Sequence, residues 1–165
     1  MRAGDLVIIS RQSDNGRGHL VRCADPRPEF PGQFVVGRVM ATAMEEIAIE
    51  GEVPTVDRHR NPSPYACDGV TMHDPQTDED VELVCSAEET GETKFQAYHA
   101  AKIAQPPYRT RVEGGRVFLV SDNRHMHLDS RDVGQIDPTT CQHVLVRLWG
   151  KGGIADAKTR FTWIW

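Results

Sequence analysis

A chain of 165 residues, 39% hydrophobic and 26% charged, can bury a core of its own and fits one domain, or one core carrying an inserted subdomain. Its formal net charge is −5 and it has no basic run, which argues against nonspecific nucleic-acid binding and against adhesion to an anionic membrane. No stretch has the length of a transmembrane helix or the build of a secretory signal, so the chain as encoded is expected in the cytoplasm, without membrane insertion.

In chain order, residues 6–10 are apolar and β-branched and read as a strand. Residues 12–18 are a polar loop with an Asp14-Asn15-Gly16 turn signal, and residues 19–23 read as the returning strand. Pro26, Pro28 and Pro31 forbid regular structure before the next strand, residues 33–41. Residues 44–56 continue extended, with a turn near Glu50 and Gly51. Residues 57–75 are rich in Pro, Asn, Asp and His and are expected to be irregular. A short strand is expected over 81–86, followed by a polar turn over 88–92. Residues 95–104 suit a strand or a single helix, the alanines keeping the helix open, and Pro106-Pro107 ends the segment. Glu113-Gly114-Gly115 is a turn before the strong strand 116–120. A second strong strand spans 143–149, a turn covers 150–153, and 161–165 closes the chain. The fold class is mainly β.

Cys23, Cys67, Cys85 and Cys141 are widely spaced with no C-x-x-C. Free, mostly buried thiols are the expectation for a cytoplasmic chain, and a Cys67–Cys85 bridge the alternative if the chain is exported.

The densest signal is residues 118–131, where an apolar run drops into Ser121-Asp122-Asn123-Arg124 and, after His125-Met126-His127-Leu128, into Asp129-Ser130-Arg131. A plain hairpin needs two turn residues, and this segment spends far more. Its Arg and Asp side chains can lock into paired hydrogen bonds, with Asp129 against Arg124 or Arg131 as the expected internal ion pair. The box is either a frame beside a peptide groove or a hydrogen-bonded crossover between sheets; paired charges in a loop favour the architectural role.

This box resembles the last signature of type I signal peptidases (peptidase S26), G-D-N-R, a short spacer, then D-S-R. Ser121 replaces the first Gly, and Val133 stands where a Trp is common. Gly4-Asp5-Leu6-Val7-Ile8-Ile9 resembles the family's G-D-x-V-x-V strand, and Phe34-Val35-Val36-Gly37-Arg38-Val39-Met40 its Y-I-K-R-V-I strand. Residues 141–149 resemble the closing strand. The resemblance implies a coiled β-sheet or β-barrel core formed by one domain, residues 1–165. Residues 52–109 would be its variable, loop-rich insertion.

The same resemblance implies a Ser nucleophile and a Lys general base, and here the chain departs from it. The S-M-x-P nucleophile motif that precedes the G-D strand is not encoded, because Met1 lies only three residues before Gly4. Gly37 occupies the Lys position, and Arg38 cannot substitute because guanidinium does not deprotonate in proteins. Residues 41–45 replace the G-x-P-G-D turn, with Glu45 and Glu46 read as a solvated acidic edge. His127 replaces a Ser often found beside the Lys.

The expected function is therefore a noncatalytic member that binds an extended peptide or protein segment along a strand edge. One alternative is a fragment or mis-started form of a membrane-anchored signal peptidase; an upstream segment would make it membrane-associated or periplasmic-facing. Another is a metal-binding β protein using His125, His127, Cys141 and His143, a ligand set zinc accepts but without the spacing of a zinc motif. No cofactor is expected. His127 is also a candidate replacement base, with Ser10, Ser86, Ser121 and Ser130 as the available hydroxyls. Trp149, Trp163 and Trp165 read as sheet-end packing, or for the last two as an exposed interaction patch. Oligomeric state is open.

Overall fold

The computed structural model describes residues 5–10, 16–50, 53–60, 67–102, 106–158 and 160–163. In chain order the strands are β1 (Leu6–Ile9), β2 (Leu20–Ala24), β3 (Phe34–Thr42), β4 (Glu46–Ile49), β5 (Thr55–Val56), β6 (His59–Arg60) and β7 (Val70–Asp74). They continue with β8 (Glu79–Thr90), β9 (Thr93–Ala100), β10 (Tyr108–Arg111), β11 (Val117–Val120), β12 (Gln142–Trp149) and β13 (Thr162–Trp163). A short α-helix, α1 (Ser130–Val133), and a 3-10 turn at Pro138–Thr140 precede β12.

The strands form three antiparallel sheets rather than a closed barrel. The first has the order β1-β12-β2-β3-β11, with β13 also on β12; the second is β10-β4-β5-β6; the third is β7-β8-β9. The mainly β class is thus observed as open sheets.

The apolar run Val117-Phe118-Leu119-Val120 explains how two cores coexist. Successive strand residues point to opposite faces, and all four are buried. Val117 and Leu119 join Val21, Val35, Val39 and Ile136 on one side. Phe118 and Val120 join Met40, Ile47, Phe95, Ala97 and Val112 on the other. β11 is the wall between two cores, which is why its pattern is continuous instead of alternating.

Several expectations are corrected. Within residues 52–109, read as a variable insertion, β8 is a twelve-residue central strand paired with β7 on one edge and β9 on the other. Its exposed Glu79, Asp80 and Glu82 disguised it as loop. The supposed turn over 88–92 is only Gly91-Glu92; Glu88 lies inside the strand and is buried. Gly91 has φ +63°, and a Cβ there would sit 3.0 Å from the Arg17 carbonyl oxygen, so this tight turn requires glycine. Residues 93–100 are strand, not helix: Phe95 and Ala97 both face the second core, a period of two. β6, β7 and β10 form where irregular chain was expected or no element was assigned, because neighbouring strands offer them edges to pair with.

The cysteines are not free thiols. Cys23 bonds Cys141, tying the middle of the first sheet to the segment entering β12, and Cys67 bonds Cys85 on β8. The bridges span 118 and 18 residues. By loop-closure entropy alone the longer is worth about 4–5 kcal/mol and the shorter about 3. Thiol titration of the denatured, unreduced protein should find no free thiol. Removing Cys23–Cys141 as a double serine variant should lower stability more than removing Cys67–Cys85, as measured by denaturant titration.

Candidate functional site

β11 delivers the chain at Val120 into residues 121–131, which fold back and enter α1. Asp129 is the N-cap of that helix, and its partner in the capping box is Asp132, whose carboxylate accepts from Asp129 N–H at 3.0 Å. The Asp129 carboxylate is fully buried and saturated. It accepts from Ser121 N–H at 2.8 Å, from Arg131 N–H at 3.0 Å, and from the Arg131 guanidinium at 2.9 and 2.7 Å. Burial pushes this carboxyl up; the Arg131 guanidinium and the two main-chain donors outweigh it and hold the group below the usual carboxylate range. Ser130 Oγ accepts from Leu119 N–H at 2.9 Å, locking α1 against β11.

Of the two partners considered for Asp129, the structure selects Arg131. Arg124 turns instead to Glu88 on β8, at 2.8 Å, and to the Ser121 carbonyl. Both side chains of the Arg124–Glu88 pair are almost wholly buried. Burial raises the Glu88 pKa, and the opposing Arg124 charge does not fully offset it. Nothing in the local sequence marked Glu88 as buried: Val84, two positions before Ser86 on the same strand face, is exposed.

Asp122 accepts from the Arg38 guanidinium at 2.8 and 3.1 Å. Arg38 also donates to the Gly18 carbonyl at 2.8 Å and lies over the Phe95 ring at 4.2 Å. Asn123 Oδ1 accepts from the main-chain N–H of His125 and Met126, closing a local turn. Main-chain bonds between Tyr98 and the 122–124 segment, at 2.7 and 2.6 Å, attach β9 to the box. Side chains and backbone of this one segment therefore contact all of β3, β8, β9 and β11.

Gly37 is buried in β3 opposite Val21. A Cβ there would lie 3.1 Å from Leu119 Cβ and 3.3 Å from the Val120 carbonyl oxygen, so a side chain would require β11 to give by a few tenths of an ångström. His127 Nδ1 lies 2.7 Å from Asp132 Oδ2, which makes Nδ1–H the donor and leaves Nε2 away from that bond. Among the described residues no serine hydroxyl hydrogen-bonds to His127; Ser86 Oγ lies 3.4 Å from His99 Nδ1 instead.

The four residues considered for a metal are held apart in other roles. Cys141 is in a disulfide, His143 stacks on His19 at 4.3 Å, and His125 Nε2 meets Asp74 at 3.2 Å. The Gln76 N–H lowers the Asp74 pKa; burial opposes this, and His125 adds to the lowering. Among the described residues, His127, Asp129 and Asp132 bring ligand atoms within 4.8 Å of one another. Arg131 already occupies Asp129, so this set does not fit a resident cation. Glu45 is not a solvated edge: its carboxylate accepts from Thr42 N–H at 2.8 Å and pairs with Arg17. Trp163 is 60% exposed and Trp149 half-buried; Trp165 lies outside the described residues.

Against known proteins, residues 1–146 match the family described as signal peptidase, peptidase S26. No curated protein matches the chain.

Asp129→Ala leaves the Arg131 guanidinium buried without its counter-charge and should cost about 2–4 kcal/mol in a denaturant titration. Because the folded pKa of Asp129 is lowered, its stabilisation is complete above the unfolded value of about 3.9 and is lost as pH falls through the folded one. The variant should therefore lose part of the wild-type acid sensitivity. Gly37→Lys should lower the thermal midpoint, since the new Cβ crowds β11 and its ammonium enters an apolar region.

Proposed function

The chain belongs to the signal peptidase S26 family, and we propose that it is a member that holds an extended polypeptide segment without cutting it by the family's Ser-Lys chemistry. The observation that carries this reading is Gly37. A general base must exchange a proton near neutral pH, and at the position that resembles the family's lysine there is no titratable group, with β11 packed closely against it. Arg38, next in the strand, is committed to Asp122 and does not deprotonate.

Binding needs no such group. Among the described residues β1 ends the first sheet and pairs with β12 alone. An incoming extended segment adds main-chain hydrogen bonds along the other edge, with Leu6 and Ile8 presenting exposed apolar side chains beside it. Trp163 continues the apolar row across β12, since Ile8 and Trp163 both pair with Val146. No helix among the described residues is long and apolar enough to cross a membrane. The two disulfides favour an oxidising compartment over the cytoplasm as the place where this domain works.

A second reading rests on the His127–Asp132 pair. A histidine oriented by a carboxylate is the base half of a nucleophilic site, and here the orienting bond is 2.7 Å. The two readings part in one assay. The protein is incubated with signal-peptide substrates and, separately, titrated with a non-cleavable extended peptide. Saturable binding without turnover is expected. Turnover that disappears in His127→Ala would replace the favoured reading with the second one, and absence of both binding and turnover would remove the peptide-holding role.

A further inference from the structure

The two disulfides sit in different surroundings. Cys23 and Cys141 are wholly buried within the first core. Cys67 and Cys85 are both partly exposed. Thiol–disulfide exchange requires an attacking thiolate to reach a sulfur. The bridge that an outside reductant meets first is therefore Cys67–Cys85.

The position of that bridge sets what its opening does. β7 and β8 form a hairpin whose register runs from Asp74 opposite Glu79 at the turn to Val70 opposite Leu83 at the open end. Cys67 precedes Val70 and Cys85 follows Leu83, so the bridge closes the end that the turn leaves open. Among the described residues β7 pairs with β8 alone. It adds no residue to either apolar core, and its one buried residue is Asp74. Two side-chain contacts carry it onto the 121–131 segment. Met72 Sδ accepts from Asn123 Nδ2 at 3.4 Å, and Asp74 Oδ2 meets His125 Nε2 at 3.2 Å. An edge strand with few buried apolar contacts opens at low cost, and the covalent closure of the hairpin opposes that opening.

We propose that Cys67–Cys85 is a redox-operated latch on β7: its reduction by a dithiol releases β7 from β8 and from residues 123–125, while Cys23–Cys141 and both cores stay closed. A thiolate of the dithiol attacks one sulfur of the bridge and forms a mixed disulfide. The other sulfur leaves as a thiolate and takes a proton from solvent. The second thiol of the reductant then displaces the protein sulfur, so the bridge gains two electrons and two protons and the reductant departs as a disulfide. Release takes Asp74 from His125 and Met72 from Asn123. It leaves the Arg124–Glu88 and Asp129–Arg131 pairs in place, because neither involves β7. It also frees the β8 main chain over residues 79–83 to pair with another strand. The latch is independent of the peptide-holding edge at β1, which lies in a different sheet.

The test treats the whole chain with graded dithiothreitol, quenches by alkylation, and locates the alkylated cysteines by mass spectrometry. Thiols at Cys67 and Cys85 are expected before any at Cys23 or Cys141. Amide hydrogen exchange of that partly reduced species should be faster over β7 by on the order of a hundredfold, the loop-closure worth of a bridge between residues 18 apart. Exchange over β3 and β11 should be unchanged. The His125 ring resonances should shift as Asp74 leaves, and reoxidation should restore them. A Cys67→Ser/Cys85→Ser double variant should reproduce both changes without reductant. Opening of Cys23–Cys141 before or together with the other bridge would overturn the latch. So would unchanged β7 exchange or an unmoved His125 ring in the partly reduced species, or failure of Cys67–Cys85 to open while the chain stays folded.

Discussion

The buried Asp129 carboxylate is the point on which the rest of the structure turns. It terminates β11 by taking Ser121 N–H, starts α1 by taking Arg131 N–H, and neutralises Arg131 in the same step. Neither oxygen can be left without donors in that environment. The chain must therefore reverse between Ser121 and Arg131 in the one way that brings all four donors to it. The net worth of such a pair is small, because desolvation consumes most of the attraction. Its consequence is geometric: with a fixed return path, the segment between the two ends is free to hold Asp122 and Arg124 in set directions.

Those two residues join the sheets. Asp122 draws in Arg38 from β3, and Arg124 draws in Glu88 from β8, each pair largely excluded from water. Main-chain bonds from Tyr98 to the same segment carry β9 alongside. β9 is in this way part of the second core, where Phe95 and Ala97 stand beside Phe118 and Val120.

At Gly37, β11 packs closely on β3. His127 bonds Asp132 at the start of α1, beside the capping box that Asp129 and Asp132 form.

The sequence by itself determined the β class, the strands at 6–9, 20–24, 34–42 and 142–149 to within a residue or two, and the identity of the box, because β-branched runs, proline breaks and a spaced Asp/Arg signature are local properties. It also determined that Gly37 offers no base, since that follows from residue type alone. It left Asp129 with two candidate partners, because both arginines lie within reach along the chain and only the fold shows that Arg124 faces β8. The pairing of Cys23 with Cys141, 118 residues away, is likewise a property of sheet order. The length of β8 was hidden by its exposed acidic residues, and the burial of Glu88 by the lack of any local sign that Arg124 would come to meet it. Partner choice over long separations depends on which faces the sheets bring together, and residue spacing does not encode that.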